Sequence, residues 1–421
     1  MFKVESVEID GFWRRVDVQC GFNNDVNIII GRNGSGKTTF MNILHSVLTV
    51  DLNGLSENEF NSARVTLIKG KKRKTIKVTK TDDERYPFPV VDYQISRKKH
   101  HLRIISSDDR RFSPGMRRRL YEESLEIRKE LDSLTSVSSL SVYRLRHDGE
   151  YEVRDRHGTR AVSPVDYRLS QALNRLTEFQ LDLAEEAQKV SRSLQKDVLA
   201  SILYGEDDSN EGWILNFDKE QEQTSLVSAY TQLNAMDSDI RRKIRFHVSA
   251  IDKSISEIVE SKTNDTKSET AIDIKPLEAL RKTKRIIDLS LAAKEKNQEI
   301  YSQIDLFLKI IKDFISDKEF SFASGRLVIQ NDFGEIEHVK LSSGEKQLII
   351  LMVEALLQKK EHHIFLADEP ELSLHIAWQR KIIPAVKNIN PNSQVIVATH
   401  SPEVASKYKD NIVDMEKLIC G

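Results

Sequence analysis

The sequence predicts an α/β fold with a mixed or parallel sheet that is split by a long helical insertion. Three observations support this class. The apolar run "DVNIII" leads into a glycine-rich turn and then into an apolar-periodic segment, which gives the order strand, turn, helix. Two more apolar runs, "HHIFLADEP" and "SQVIVATHS", are typical of strands buried on both faces. Between these regions, apolar residues recur at helical spacing over a long stretch.

The two ends of the chain are predicted to form two lobes of one head. Residues 1–160 form an N-lobe, in which "KVESVEI" alternates like a strand and residues 63–105 contain basic, β-rich segments with "KGKKRK" as a hairpin turn. A charged helix, a short strand in "SLSVYRLR" and a polar hairpin complete this lobe. Residues 317–421 form a C-lobe, with strand patterns, a serine-glycine turn, a helix and the two later apolar strands.

Residues 165–316 are predicted to form a helical arm. Apolar residues follow helical spacing from Leu169 to Val198 and again from Leu277 to Ile315. The second stretch resembles one strand of a short, imperfect coiled coil, and the alternative is a helix packed on a domain. A helix of about 38 residues would be roughly 57 Å long, which favours an arm that projects from the head.

Composition excludes several classes of protein. The 421 residues, 39% of them hydrophobic, exceed one average domain and allow a sizeable core. Cys20 and Cys420 are the two cysteines, and their positions at opposite ends exclude a disulfide framework or a zinc site built on cysteine pairs. The sequence contains no apolar run long enough for a membrane span and begins without a signal peptide's apolar block. We therefore expect a cytoplasmic protein without a membrane partner.

Charge is unevenly distributed, although the formal net charge is only -1. Residues 64–119 contain 18 Lys or Arg against 6 Asp or Glu. Their basic runs could bind nucleic-acid phosphates, form a solvated face or dock an acidic protein, and charge alone does not separate these alternatives. The pairs His100–His101 and His362–His363 lack the carboxylate or cysteine pattern of a nuclease metal site, and we expect them in solvated loops.

A phosphate-binding loop is predicted at residues 31–38, "GRNGSGKT", which fit the pattern G-x-x-x-x-G-K-[ST]. Its glycines let backbone N–H groups curl around phosphate oxygens, and the following helix adds its positive N-terminal end. Lys37 is expected to reach the β- and γ-phosphates of ATP, and Thr38 to ligate Mg²⁺. The predicted nucleotide-binding residues of this loop are Gly31, Asn33, Gly34, Ser35, Gly36, Lys37, Thr38 and Thr39.

Three further side chains are predicted to act at the ends of the two later strands. Asp368 and Glu369 follow a buried apolar run, where two adjacent acids are costly without a purpose. Asp368 suits a Mg²⁺ site, and Glu369 suits the role of a base that polarises the attacking water. His400 ends a second core strand, where ligands of parallel sheets collect, and is expected to hydrogen-bond the γ-phosphate.

The segment "LSSGEK", residues 341–346, is a serine-glycine turn that opens a helix. By itself it is an ordinary N-cap. It lies far from the phosphate-binding loop in the sequence and just before the acid-bearing strand. This turn therefore predicts a second helix N-terminus that can bind an anion but has no phosphate of its own.

The motifs "GRNGSGKTT", "LSSGEKQ", "FLADEPELSLH" and "VIVATHS", in this order, resemble the ABC-type ATPase heads of the SMC, RecF and OLD-like group. Heads of this group dimerise head to tail and sandwich two ATP molecules. The resemblance implies a homodimer or higher homo-oligomer, in which Ser342 and Gly344 contact the γ-phosphate bound by the partner subunit. It also implies that "ELSLH" lines the dimer seam. Outside these motifs the resemblance is loose.

Some positions depart from the family pattern or stay open. The signature has Ser-Ser-Gly-Glu where transporters have Ser-Gly-Gly-Gln, which argues against a membrane transporter cassette. The glutamine that ligates Mg²⁺ in relatives has two candidate positions, Gln94 and the segment 142–146. Trp13, Arg14 and Arg15 follow the first strand, where relatives often carry a basic nucleotide contact.

The compact form resembles standalone ATPases of bacterial anti-phage defence systems, such as PARIS, Septu and some retrons, and the PARIS type fits best in length. This implies a slow ATPase that senses infection through a phage protein and controls a separate effector, a nuclease. OLD-family nucleases carry a TOPRIM domain after the last head strand, whereas about twenty residues follow His400 here, so cutting is expected from another protein. The alternatives are a RecF-like DNA-binding repair ATPase and a scaffold that binds ATP and seldom hydrolyses it.

Overall fold

The structure is a computed structural model that describes residues 1–81, 90–103, 114–141, 151–155, 158–201, 217–263 and 275–420. The chain divides into two compact units. The first contains Met1–Glu178 and Ile304–Gly421, and the second contains Phe179–Gln303. Because this division falls inside two long helices, the predicted lobe and arm boundaries at 160, 165 and 316 stay predictions.

The described part of the chain contains both strands and helices. The strands are β1 (Lys3–Phe12), β2 (Val16–Gly21), β3 (Val26–Ile30), β4 (Ser62–Lys69), β5 (Lys72–Thr81), β6 (Val90–Ile95), β7 (Lys98–Arg103), β8 (Val137–Ser141), β9 (Tyr151–Asp155), β10 (Gly158–Val162), β11 (Glu319–Ala323), β12 (Arg326–Asn331), β13 (Gly334–Glu335), β14 (Ile364–Asp368), β15 (Gln394–Ala398), β16 (Ile412–Asp414) and β17 (Ile419–Cys420). The helices are α1 (Lys37–Thr49), α2 (Leu52–Glu57), α3 (Pro114–Leu134), α4 (Pro164–Ser201), α5 (Lys219–Gln232), α6 (Ser238–Thr263), α7 (Lys275–Phe314), α8 (Ser343–Leu356), α9 (Ile376–Gln379), α10 (Ile382–Ile389), α11 (Pro402–Ala405) and α12 (Met415–Leu418).

A parallel sheet with the strand order β16-β3-β15-β14-β8 forms the centre of the first unit. Every residue of β14 and β15 is buried, which explains why these strands are continuous apolar runs. In the register, Asp368 lies opposite Ala398, and Ala398 lies opposite Ile29. The carboxyl ends of these strands therefore meet at one edge of the sheet, and the phosphate-binding loop begins at the same edge.

A second, antiparallel sheet has the strand order β17-β2-β1-β4-β5-β6-β7. The alternating pattern predicted for residues 63–105 is confirmed within the described strands, for example along β6, where buried and part-exposed residues alternate. Residues 82–89, 104 and 105 of this range lie outside the described residues. The hairpin predicted at "KGKKRK" is also confirmed, because Lys69 of β4 pairs with Lys72 of β5. The buried face of this sheet contributes Val65, Val78 and Tyr93 to the main hydrophobic core.

Helix α1 is buried on most sides because its side chains share one core with both sheets. Phe40, Leu44 and Val47 are fully buried in this core together with Tyr93 of β6 and Leu366 of β14. Burial of each such apolar side chain contributes about 1.5–3 kcal/mol. Burial therefore fixes the position of α1, and this in turn positions the phosphate-binding loop at its N-terminus.

The second unit is helical. It contains the later part of α4, all of α5 and α6, and α7 up to Gln303. Two apolar clusters hold it together, one around Leu226 and Val248 and one around Ile251 and Leu277. Among the described residues, no helix combines the length and apolar character that crossing a membrane requires.

The predicted α/β class with a helical insertion is confirmed by the parallel sheet and by the helical second unit. The long helix predicted from Leu277 to Ile315 is also confirmed, as α7. Whether α7 takes part in a coiled coil stays a prediction.

Candidate functional site

The phosphate-binding loop connects β3 to α1, as predicted. Gly34 and Gly36 have φ angles of 82° and 93°, in the left-handed region that favours glycine. A Cβ on Gly36 would lie 2.8 Å from the Phe12 ring and 2.9 Å from the Trp13 ring. Trp13 thus contacts the loop directly. All eight predicted loop residues, from Gly31 to Thr39, lie in this connection or in the first turn of α1.

The N-terminus of α1 is prepared for an anion. No side chain caps it at Gly36, so the first N–H groups of the helix lack the usual side-chain acceptor. Lys37 is only 4% exposed, and its Nζ donates to the carbonyl oxygens of Gly31 at 2.9 Å and Arg32 at 3.1 Å. Burial lowers the pKa of Lys37, and the carboxylate of Glu369 partly offsets this effect. A phosphate would give Lys37 and the helix end a common partner.

Asp368 ends β14 and is 4% exposed. Burial raises its pKa from 3.8 to about 6, against the lowering effect of a hydrogen bond with Thr38, and the neighbouring Glu369 raises the pKa further. Its Oδ1 atom is buried without a hydrogen-bond partner. A buried carboxylate oxygen without a partner, beside the hydroxyl of Thr38, fits a hard cation such as Mg²⁺. The two predicted metal-site residues are therefore in contact.

Glu369 and His400 face each other across the ends of β14 and β15. Glu369 has a φ of 48°, and its backbone N–H donates to the carbonyl of Ala398 at 2.8 Å. The Nε2 atom of His400 lies 3.7 Å from the Oε1 atom of Glu369, and both side chains are 34% exposed. The structure thus brings the two predicted catalytic residues together beside Asp368, with both side chains open to solvent. A carboxylate and an imidazole in this arrangement can orient and deprotonate a water.

The signature motif (Leu341–Lys346) opens α8 with a capping box. The hydroxyl of Ser342 accepts from the Glu345 N–H at 3.3 Å, and the carboxylate of Glu345 accepts from the Ser342 N–H at 2.9 Å. Gly344 is pressed against the seam loop (Glu371–His375), since a Cβ on it would lie 2.5 Å from the carbonyl oxygen of Ser373. Ser342 and Gly344 therefore lie at a helix N-terminus, as predicted, and their contact with a partner's phosphate stays a prediction.

Two ion pairs fix the signature motif, and the sequence motifs did not predict either. The Nζ atom of Lys318 lies 2.7 Å from the Oε1 atom of Glu345, and that of Lys346 lies 2.7 Å from the Oδ1 atom of Asp166. All four side chains are at most 18% exposed. Burial alone would raise the pKa of Asp166, but the hydrogen bonds from Lys346 and Ser163 outweigh it and lower this pKa. Because these side chains are largely buried, water and salt weaken the two ion pairs less than they would weaken exposed pairs.

Sequence reasoning placed Glu371 in the seam loop but missed its contacts with the loop that carries His400. Its Oε1 atom accepts hydrogen bonds from the Thr399 hydroxyl, from the His400 N–H at 3.1 Å and from the Ser401 N–H at 3.2 Å. Ser401 also donates through its hydroxyl to Gln379 at 2.7 Å. In the sequence, Glu371 is simply a second glutamate two positions after Glu369. That spacing does not indicate a contact with the segment that follows β15.

Other predicted positions lie elsewhere. Gln94 lies on β6 in the antiparallel sheet, and its side chain donates to the Ser96 carbonyl at 2.7 Å. The other candidate for the Mg²⁺-binding glutamine loop, residues 142–146, lies outside the described residues. The expectation that both histidine pairs lie in solvated loops is wrong at three positions. His100 and His101 lie within strand β7. His363 is 9% exposed, and burial lowers its pKa from 6.5 to about 4.

The basic strands carry many charges that are already paired within the protein. Arg64 contacts Glu8 at 2.9 Å, and Lys98 contacts Glu130 at 3.3 Å. Arg73 forms a further ion pair with Glu5. These pairs reduce the positive charge that this surface presents to a polyanion.

The fold and the site together define a P-loop ATPase. Residues 2–405 match the AAA ATPase domain family, and the chain belongs to that family. The match spans the phosphate-binding loop, the signature motif, the acid pair and His400. The predicted resemblance to this group of ATPases is confirmed.

Three curated relatives share part of the sequence. Septu protein PtuA of Bacillus thuringiensis is 32% identical over 109 residues, which cover 21% of this chain and 27% of the relative. Retron Vc95 probable ATPase of Vibrio cholerae serotype O1 biovar El Tor is 31% identical over 177 residues, which cover 36% and 34% of the two chains. Retron Ec83 probable ATPase of Escherichia coli is 30% identical over 129 residues, which cover 26% and 24%. The matched segments thus span about a third or less of each relative's length.

Solved structures of Smc head domains also align with this chain. The Smc head domain with an extended coiled coil from Pyrococcus furiosus, bound to the C-terminal domain of ScpA, aligns over 98% of this chain and 93% of its own, with 13% identity and a TM-score of 0.44. The Smc head domain of Pyrococcus yayanosii aligns over 98% and 95%, with 14% identity and a TM-score of 0.40.

Proposed function

We propose that this protein binds Mg-ATP at the carboxyl edge of the parallel sheet and hydrolyses it slowly. The observation that supports this most directly is the convergence of five side chains on that edge. These are Lys37, Thr38, Asp368, Glu369 and His400. The N-terminus of α1 has no side-chain cap, the buried charge of Lys37 contacts backbone carbonyls, and one carboxylate oxygen of Asp368 has no hydrogen-bond partner. A nucleotide phosphate chain with its cation would supply a partner for all three groups.

Each side chain has a separate role in this proposal. Lys37 and the loop N–H groups hold the β- and γ-phosphates, while Thr38 and Asp368 hold Mg²⁺, which neutralises phosphate charge when bound. Glu369 orients the attacking water and accepts its proton, and His400 donates a hydrogen bond to the γ-phosphate.

The proposal includes a head-to-tail dimer in which the signature motif serves the partner's ATP. Four large apolar side chains are exposed among the described residues of the first unit: Phe333 (96%), Val339 (46%), Leu372 (47%) and Ile376 (58%). Each lies within or close to the signature motif or the seam loop in the sequence. Exposed apolar side chains on these segments support a seam between two copies, because apolar surface is costly in water. Higher oligomers built from such dimers are compatible with the proposal.

A complementation experiment tests the ATPase and the dimer together. Lys37→Ala removes the phosphate-binding cation, and Ser342→Arg fills the space at the signature turn. Each variant alone should lack ATPase activity. In a two-fold dimer each active site takes the loop from one chain and the signature from the other. A heterodimer of the two variants therefore keeps one intact site, and mixing should restore part of the activity.

The matched control is Ser133→Arg. Ser133 is exposed near the C-terminus of α3, just before β8 begins, which is the opposite end of the sheet from the site. This variant should hydrolyse ATP like the wild type. ATPase activity of Ser342→Arg by itself, or of a verified monomer, would falsify the shared site. A wild type that neither binds nor hydrolyses ATP would refute the ATPase proposal itself.

At the level of the cell, we propose a sensor that controls a separate effector, a nuclease, in anti-phage defence, with a phage protein as trigger. The similarity to Septu protein PtuA and to two retron ATPases supports this assignment. Co-purification of the tagged wild type with the products of its flanking genes tests it. Capture of a nuclease in a Lys37-dependent complex is the expected result. Replication proteins in its place would favour the RecF-like repair alternative.

Binding of DNA or RNA is the second candidate activity, and it rests on the basic segment 64–119. The ion pairs of Arg64 and Arg73 with glutamates weaken it. Filter binding of a labelled duplex at increasing salt provides the test. We expect weak binding without a steep salt dependence. Tight binding with a steep salt slope would favour nucleic-acid binding over the defence sensor as the main function.

A further inference from the structure

The seam loop and the loop that carries His400 are connected by one carboxylate. The Oε1 atom of Glu371 accepts from the Thr399 hydroxyl and from two consecutive backbone N–H groups, those of His400 at 3.1 Å and Ser401 at 3.2 Å. An ionised acceptor makes stronger hydrogen bonds than a neutral one. Glu371 therefore fixes the backbone on both sides of the His400 Cα atom.

The backbone at this point is also fixed by the neighbouring strand β3. Thr399 is fully buried, and its N–H donates to the Ile29 carbonyl at 3.0 Å, two residues before the phosphate-binding loop. Ser401 N–H also donates to the Thr399 hydroxyl at 2.9 Å. The contacts of β3 hold Thr399, but the next two N–H groups, of His400 and Ser401, have Glu371 as a shared acceptor.

The direction of the His400 side chain depends on this short segment. Its ring lies 3.7 Å from Glu369, with 34% of the side chain exposed, so side-chain packing constrains the ring less than it would a buried residue. The Cα–Cβ direction is set by the backbone between Thr399 and Ser401, and an error of about 1 Å at a reacting group can lower a rate by about 100-fold. Loss of the carboxylate would leave the His400 N–H without its acceptor and the Ser401 N–H with the Thr399 hydroxyl alone, and it would loosen this segment.

We propose that Glu371 is a positioning residue that holds His400 in place for ATP hydrolysis. The proposal rests on the proposed ATPase function. Glu371 acts through the backbone of His400 and does not contact the nucleotide itself. It thereby ties the loop assigned to the dimer seam to the residue assigned to the γ-phosphate.

Steady-state ATPase kinetics of Glu371→Ala and Glu371→Gln test the proposal. Alanine removes the acceptor, and we expect kcat to fall by about 10- to 100-fold while KM for ATP changes by less than about threefold. Glutamine keeps an acceptor oxygen at the same reach, and its kcat should stay within about threefold of the wild type. If the alanine variant does not fold, Glu371→Met fills a similar volume without an oxygen and should show the same loss.

A double-variant cycle with His400→Ala separates positioning from a merely structural role. If Glu371 acts through His400, the double variant should be no slower than His400→Ala alone, because the two losses are not additive. Additive losses would overturn the proposal, and so would an unchanged kcat in a folded alanine or methionine variant.

Glu403→Ala is the matched control. Glu403 lies in α11, just after the loop that carries His400, and its carboxylate pairs with Arg380 rather than with the His400 N–H. Its kcat should match the wild type. A wild type without ATP binding or turnover would count against the proposed function, whereas an active wild type with an equally active Glu371→Ala variant would count against Glu371 alone.

Discussion

Replacing Asp368 by asparagine should stabilise the protein in the absence of nucleotide while abolishing hydrolysis. Asp368 is 4% exposed, and burial is the main cause that raises its pKa from 3.8 to about 6. Each pKa unit corresponds to about 1.4 kcal/mol, so ionised Asp368 destabilises the folded state by up to about 3 kcal/mol. Asparagine has nearly the same shape, can still accept a hydrogen bond from Thr38 and carries no charge.

The pH dependence has a definite sign. Because the folded state binds the proton more tightly than the unfolded state, the wild type loses stability as pH rises from about 4 to about 6. Below this window the charge is absent in both states, and above it the full destabilisation applies. The variant should therefore be more stable than the wild type by about 1–3 kcal/mol at pH 8 and by roughly half as much at pH 5.

Urea denaturation followed by tryptophan fluorescence measures this difference. The control is Asp332→Asn, an exposed position in the turn between β12 and β13, which should change stability by less than about 0.5 kcal/mol. An unchanged or lower denaturation midpoint for Asp368→Asn at pH 8 would show that the neighbouring Lys37 compensates the buried charge, and the reasoning about this site would be refuted.

The remaining predictions concern turnover, the signature turn and the ion pairs. Glu369→Gln should bind ATP with unchanged affinity but turn it over at least about 100-fold more slowly, so ATP-bound dimers should accumulate on a sizing column, and wild-type turnover would exclude Glu369 as the base. Gly344→Ala should lower ATP turnover but leave the ATP affinity of the monomer intact, because the added Cβ would lie 2.5 Å from the Ser373 carbonyl oxygen. Turnover equal to that of the wild type in a coupled ATPase assay would contradict this. Lys318→Met should lower the free energy of unfolding by about 2–4 kcal/mol, because Glu345 is left largely buried without its partner, and Glu345→Gln in the same chain should recover part of the loss. An unaltered denaturation midpoint in Lys318→Met would show that the pair contributes nothing.

The residues predicted from the sequence are those whose position follows from local structure. The loop from Gly31 to Thr38 is a contiguous motif, and Asp368, Glu369 and His400 each lie at or just after the end of a buried strand. Since parallel strands share a carboxyl edge, their neighbourhood could be predicted without coordinates. The class of the fold was predictable for the same reason, from apolar runs and helical spacing.

The contacts that escaped prediction depend on how distant segments fold together. Glu371 is a polar residue in a loop, and only the register of β14 against β15 brings it to the His400 N–H. Lys318 and Lys346 belong to a chain rich in charges, and sequence spacing cannot show which of them loses its solvent. The burial of His363 just before β14 was missed because a histidine pair beside a glutamate resembles a solvated turn.

The ion pairs at the signature motif also have a consequence for the length of the insertion. Asp166 and Lys318 are separated by roughly 150 residues of chain, yet they pair with two consecutive residues, Lys346 and Glu345. These ion pairs therefore hold together the two ends of a very long chain segment, most of which is helical. The entropy of closing such a loop grows only logarithmically, so that doubling its length adds about 0.6 kcal/mol. Insertions of quite different length could replace this one while the two ion pairs, and the N-terminus of α8 that they hold, stay unchanged.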